Sequence, residues 1–229
     1  MKARQFTPVS LLVASLFLSA CAHSQAQGVR GDIKEFVAQY VAALNAKDTA
    51  RLNSFLHPKS IACVTKDTKP YYDEGMAIHL RDPIPANYKY TLSPLDAKAP
   101  QPLEGYAQFP VRPSHQLQIE YDEGEDHGVV VVWLVQEKDR WLQDDPCATE
   151  QVLKQFRDDE PARKERVAKH KALVAAIQEP LRSELLALLR EHKTVTATKR
   201  YQEASGENYE TSMFVIYELT PEARRAPAS

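Results

Sequence analysis

The chain is poor in glycine and cysteine, with seven and three in 229 residues. So few glycines leave no Gly-rich loop to cradle a phosphate. No Gly-x-Ser-x-Gly turn presents a nucleophilic serine. The seven histidines, at 23, 57, 79, 115, 127, 170 and 192, lack the His-x-x-x-His or His–Cys spacing of a zinc site. No metal and no cofactor is therefore expected. Charge of one sign is also missing. There are 29 basic and 31 acidic side chains, a formal net charge of −2. No basic patch of the kind that tracks a phosphate backbone is present, which argues against nucleic acid as a partner. Long hydrophobic runs are absent apart from Val9–Leu18. That run falls well short of the about 20 apolar residues of a membrane-spanning helix.

The short run fits a secretory signal. Lys2 and Arg4 precede it, and small Ser19 and Ala20 follow it. The next residue is Cys21. The stretch Leu18-Ser19-Ala20-Cys21 resembles the lipobox of bacterial lipoproteins. That resemblance implies a signal peptide over 1–20 and acyl chains, palmitate among them, on Cys21 as the first mature residue. More than one chain makes such anchoring stable. Ala22 stands where an Asp would imply inner-membrane retention. The implied address is therefore the outer membrane, periplasmic face, with the membrane as partner through Cys21. Removal of 1–20 takes away Lys2 and Arg4 and no acid. The mature chain then carries 27 basic and 31 acidic groups, net −4.

Cys63 and Cys147 remain. In an oxidising compartment the pair reads as a disulfide, closing a loop of about 85 residues, worth about 4 kcal/mol in the chain-entropy model. The alternative is two unrelated buried thiols. A bridge would also remove both as nucleophiles.

Residues 21–31, small and polar, read as a flexible tether. Asp32 then caps a helix. Its apolar stripe is Ile33, Phe36, Val37, Tyr40, Val41 and Leu44. Asp48 caps a second helix with Leu52, Phe55 and Leu56 inside, ended by His57-Pro58. Ser60–Thr65 reads as a short β-branched strand. Tyr88, Tyr90 and Leu92 alternate as a half-buried strand. Seven prolines in 83–113 make that region loops and edge segments. In His115–Tyr121, His115, Leu117, Ile119 and Tyr121 share one face. "DEGEDH" gathers acids as calcium loops do, but without their ligand spacing, and reads as an acidic turn. Val129–Val135 is apolar on both faces, the pattern of a central strand covered on both sides. Lys138-Asp139 turns into Arg140–Gln143. Residues 149–192 are charge-rich and helical, with helix starts at Pro161 and Pro180. The charged stretch 157–171 is either a solvated helix face or a partner-binding one. Thr194–Tyr201 and Tyr209–Leu219 read as two strands of a hairpin around "QEASGEN".

The order of elements resembles the NTF2-like superfamily. "FVAQYVAALNAKDTARLNSFLHP" is similar to the opening helices of its SnoaL-type members, and "VVVVWLVQEKDRWLQDD" to their final strand pair. The resemblance covers about 32–146. It implies an α+β fold: an NTF2-like cone over 32–148, with N-terminal helices packed on a curved antiparallel sheet around a pocket. A helical plus β-hairpin C-terminal extension would occupy 149–229, as a separate lobe or as part of the same sheet. Some members are isomerases, cyclases or dehydratases, and others only bind, so fold does not settle function.

Within such a cone the candidate ligand-binding residues are Tyr40, Tyr88, His115, Tyr121 and Trp133. The tyrosines would serve as phenol donors, or as core residues with a wet tip. His115 would be a general base, or a ring hydrogen-bonded at the strand entrance. No catalytic constellation can be assembled around it. The expected function is thus a lipid-anchored periplasmic protein that binds a small apolar ligand or an envelope protein without catalysis. One alternative is a ketosteroid-isomerase-like enzyme using His115 with a tyrosine. The other is a structural or assembly lipoprotein whose helices at 150–192 form the contact through an exposed apolar stripe.

Overall fold

The computed structural model describes residues 28–99 and 106–225. The signal peptide and Cys21 lie outside the described residues. Of the expected tether, Val29–Arg30 form a strand, β1.

The first helix follows from its caps. The Asp32 carboxylate accepts from the Glu35 amide, 3.1 Å, and opens α1 (Ile33–Asn45). Its apolar stripe, Phe36, Val37, Tyr40, Val41 and Leu44, is buried as its period demands. Asp48 accepts from the Arg51 amide, 2.9 Å, and opens α2 (Thr49–Phe55). The expected strand at Ser60–Thr65 is instead helical, with α3 spanning Pro58–Ala62. Pro58 enters the first turn, and the His57 ring accepts from the Lys59 amide, 3.1 Å. This N-terminal signal overrides the β-branched composition. A further helix, α4 (Lys69–His79), buries no residue and so left no periodic signal.

Five strands form one antiparallel sheet. They are β1, β2 (Lys89–Pro94), β4 (His115–Glu123), β5 (Asp126–Glu137) and β6 (Arg140–Gln143), in the order β1-β6-β5-β4-β2. A two-stranded sheet pairs β3 (Ala107–Gln108) with β7 (Cys147–Ala148). The β4–β5 ladder pairs Leu117 with Val132 and Ile119 with Val130, aiming these side chains at α1 and α2. Phe36, Phe55, Leu117, Ile119 and Leu134 fill the space between helices and sheet. The β5 run is central, but its two faces differ. Val132 and Leu134 are buried, whereas Val129 and Val131 are 46% and 39% exposed. The expectation of cover on both faces holds only toward the end of β5: on the outer face Val135 and its ladder partner Leu142 are buried and Trp133 meets Phe109, whereas Val129 and Val131 stay open. The Tyr90–Leu92 strand is an exposed edge.

Beyond the sheets the described residues form helices: α5 (Glu150–Asp158), α6 (Glu160–Ala176), α7 (Leu181–Arg190), α8 (Thr194–Ser205) and α9 (Tyr209–Arg225). The expected β-hairpin of the C-terminal extension is therefore an αα-hairpin. Its Thr-rich sequence suggested strands. In the helices the Thr198 and Thr220 hydroxyls donate back to the carbonyls four residues earlier, 2.8 Å each, so their polarity is absorbed locally. Val215, Ile216, Leu219 and Ala223 then form a helical stripe against Leu185, Leu189, Ala197 and Tyr201. These helices thus have a core of their own, and the described fold is α+β with two cores.

The β4–β5 turn joins the two. Glu125 accepts from the Thr196 amide (2.9 Å) and hydroxyl (2.6 Å) at the start of α8, which has no side-chain cap of its own. Asp126 accepts from the Thr194 hydroxyl, 2.8 Å. Gly124 sits at φ 63° against the His192 carbonyl, where a Cβ would collide.

The register makes a sharp prediction for the two sheet faces. Leu117→Ala should cost about 2–5 kcal/mol of stability, and Val131→Ala within about 0.5 kcal/mol of zero, read by urea denaturation. Equal costs would contradict the register.

Candidate functional site

A cleft of about 1310 Å³ lies among α4, α5, α6 and α9. Covalent and polar ties set one wall. Cys63, just after α3, and Cys147, just before α5, form a disulfide with Cα atoms 5.5 Å apart. The Tyr72 hydroxyl on α4 accepts from the Ala148 amide, 3.0 Å, and donates to the Pro146 carbonyl, 3.4 Å. Tyr71 meets Phe156 edge-on, with centroids 5.4 Å apart. α4 and α5 are thereby pinned to each other.

Cations fasten the other elements. The Arg163 guanidinium of α6 lies 3.8 Å over Phe156 and 3.5 Å from Glu74 of α4. Arg81, two residues past α4, lies 4.5 Å over Tyr217 of α9. Arg224 pairs with Asp82 at 2.7 Å. His170 of α6 stacks on Phe214 of α9, 5.1 Å.

The cleft surface is apolar, built from Tyr71, Ile78, Phe156, Val167, Phe214 and Tyr217. Three of these stay open to water: Ile78 is 63%, Val167 43% and Phe214 40% exposed. Large side chains left in water in a concave site mark binding surfaces. Charges of opposite sign enter from different helices. α6 supplies Lys164, Arg166 and Lys171, and α9 supplies Glu210 and Glu218. Lys164 also pairs with Glu160, 2.6 Å.

None of the five residues expected to bind ligand lines this cleft. Tyr40 is buried in an aromatic cluster with Phe36 and Phe55. Burial, with the charge of Asp145, raises its pKa. Tyr88 packs against the same core. Tyr121 folds over Gly128, its ladder partner, so closely that a Cβ there would enter the ring. Burial raises the Tyr121 pKa too. His115 shares the Leu117 face as expected. Its ring meets Trp141 edge-on at 5.1 Å, and its Nδ1 lies 2.9 Å from the Ser114 hydroxyl. Trp133 points to the opposite face of the sheet, against Phe109. The structure therefore groups four of the five on one face and separates Trp133.

A polar knot at the end of β6 was not visible in the sequence. Asp144, fully buried, accepts from the Ser60 hydroxyl, 2.8 Å, while its Oδ2 has no partner among the described residues. Asp145 accepts from the Gln143 amide, 2.7 Å. His57, buried, accepts at Nδ1 from Lys59, so its Nε2–H faces Glu137, 3.1 Å. Burial raises the pKa of both Asp144 and Asp145. Ser60 offsets part of the shift for the first and Gln143 for the second. Buried carboxyls with raised pKa values also occur at active sites. This pair instead braces α3 and β6, and neither lines the cleft. Among the described residues no group of three or more His, Cys, Asp or Glu side chains could hold a metal ion.

The cleft residues carried one readable signal. Phe214, Tyr217 and Pro221 repeat at helical spacing beside the inner stripe of α9. Reading that segment as a strand hides this second face.

No family model, no curated protein and no solved structure matches the chain.

Two predictions follow from this geometry. A raised carboxyl pKa means the folded state holds its proton at a pH where the unfolded chain has released it. The contribution of Asp144 and Asp145 is thus present below the ordinary carboxylate range and lost as pH rises through their raised values. Asp145→Asn should become progressively more stable than wild type as pH climbs from 4 toward neutrality (about 7), in denaturation curves of both proteins. A constant difference would show that its carboxyl is not perturbed. Replacing both Cys63 and Cys147 with Ser should cost up to about 4 kcal/mol and raise hydrogen exchange in α4 and α5 more than in α1.

Proposed function

We propose that this chain is a lipid-anchored protein of the bacterial outer membrane, facing the periplasm, that acts without catalysis as a protein-interaction module. The observation that carries the interaction reading is the cleft. It leaves Ile78, Val167 and Phe214 in water between charged helices. Its volume exceeds the about 300–1,000 Å³ of small-molecule pockets. That favours a macromolecular contact over a small ligand. The placement of α5 and α6 along the cleft supports the expectation that helices within 150–192 form the contact.

The envelope address rests on the lipobox-like Leu18-Ser19-Ala20-Cys21. No helix of the described residues is long and apolar enough to cross a membrane. The Cys63–Cys147 disulfide is compatible with an oxidising compartment. For the domain of 32–148 we propose an NTF2-like cone. Helices α1 and α2 packed on one face of the antiparallel sheet support it, as does the final β5–β6 pair. Aromatic and aliphatic side chains fill the space between these helices and the sheet, which supports an interaction site elsewhere, at the cleft.

The test uses a photo-crosslinking residue at Val167 in cells, with the same residue at Val131 on the outer sheet face as control. A discrete adduct from Val167, lost on Phe214→Glu, is the expected result. Adducts from Val131 alone would move the site to the sheet. For the anchor, Cys21→Ser should release the protein from the membrane fraction and abolish palmitate labelling. Retention of both would overturn the lipoprotein assignment.

A further inference from the structure

We infer that the cleft seats an amphipathic α-helix of a partner protein, about three turns long. Its apolar stripe would lie between an acidic flank facing α6 and a basic flank facing α9. The inference rests on the interaction reading above and specifies the partner's chemistry.

Length is the first argument. The cleft residues of α6 run from Glu160 to Lys171 and those of α9 from Glu210 to Pro221, twelve residues in each case. At the α-helical rise both walls span about 16 Å, the length of a three-turn helix. A site this long and open, in one direction, suits a rod better than a compact ligand.

The apolar positions are the second. Phe214 and Tyr217 on α9, Val167 on α6 and Ile78 on α4 present anchors from three sides of the cleft. An incoming helix meets such a surface with residues at i, i+3 or i+4, and i+7, the recurring helix-in-groove mode. The exposed parts of Ile78, Val167 and Phe214 are the surface its stripe would cover.

Charge supplies direction and is the third argument. Arg166 and Lys171 of α6 and Glu210 and Glu218 of α9 have no ion-pair partner among the described residues. With Glu160 of α6 paired to Lys164, the unpaired charges are of one sign on α6 and of the other on α9, and they discriminate between two ways of laying down the same helix. Only the orientation that brings acids to α6 and bases to α9 avoids like-charge contact.

The test uses the chain with Cys21→Ser. The probes are two lactam-stapled peptides of about 14 residues sharing one leucine stripe. The matched peptide carries Glu on the flank that would face α6 and Lys on the other. The second peptide has the flanks exchanged. Fluorescence anisotropy should show the matched peptide binding about tenfold or more tightly than the exchanged one. Phe214→Glu should abolish binding. Lys171→Glu combined with Glu218→Lys should reverse the preference. Equal binding of both peptides, or binding indifferent to Phe214→Glu, would overturn the inference, as would no binding of either. If Val167 still crosslinks to one protein in cells while neither peptide binds, the interaction reading stands and the helix fails. Absence of both results removes both. A dimer of this chain in sedimentation that Phe214→Glu dissolves would overturn the partner helix in favour of a second copy.

Discussion

The register of the β4–β5 ladder positions both lobes of the molecule. It sets Leu117 opposite Val132 and Ile119 opposite Val130, on the face that α1 and α2 cover. A slip of one residue would turn these into water and bring Gln116 and Gln118 inward. The same ladder ends in the turn at Gly124, whose neighbours Glu125 and Asp126 bind the uncapped start of α8. At the other end β5 leads into β6 and on to Asp144, Asp145 and Cys147. One strand pair therefore places the first core, the junction with the helical lobe and the segment that carries the disulfide.

The cleft is a consequence of that arrangement. Each lobe closes its own core, and α6 joins the second only through half-buried Leu173 and Val174 near its C-terminal end. What remains between the lobes is bridged by side chains: Arg163 to Glu74, Arg81 to Tyr217, Arg224 to Asp82. Cation–π contacts and partly exposed ion pairs are individually weak, of order 1 kcal/mol or less at exposed sites. They hold the walls without filling the space. Ile78 and Phe214 consequently stay in water, and a partner that covered them would recover their hydrophobic burial.

The buried carboxyls of the β6 end have a structural logic. Asp144 ties α3 to the sheet through Ser60, and Asp145 holds Gln143 beneath Tyr40. Both groups are desolvated with incomplete compensation, which lifts their pKa values. Adjacent Asp144 and Asp145 in the sequence look like part of a solvated turn. Their depth becomes apparent only once α3 and α4 fold across them.

Elements whose signal is local were legible in the chain alone. The α1 stripe, the caps at Asp32 and Asp48, the β4–β5 and β5–β6 turns and the helices after Pro161 and Pro180 all follow from periodicity and capping within a few residues. The close pairing of Cys63 with Cys147 was expected from compartment and count. The other features depend on packing between segments distant in the chain. Thr194–Tyr201 and Tyr209–Leu219 are β-branched and aromatic enough to read as strands. They become helices because a four-helix core accepts Val215, Ile216 and Leu219 as one stripe, while threonine hydroxyls bond to their own turns. Which face of the β5 valine run meets water depended on where α1 and α2 lie, and strand sequence carries no record of its covering layer. The cleft was least legible of all. Its walls come from segments 67–81, 153–171 and 210–221, and no local period links side chains that meet only when two separately packed cores are set side by side.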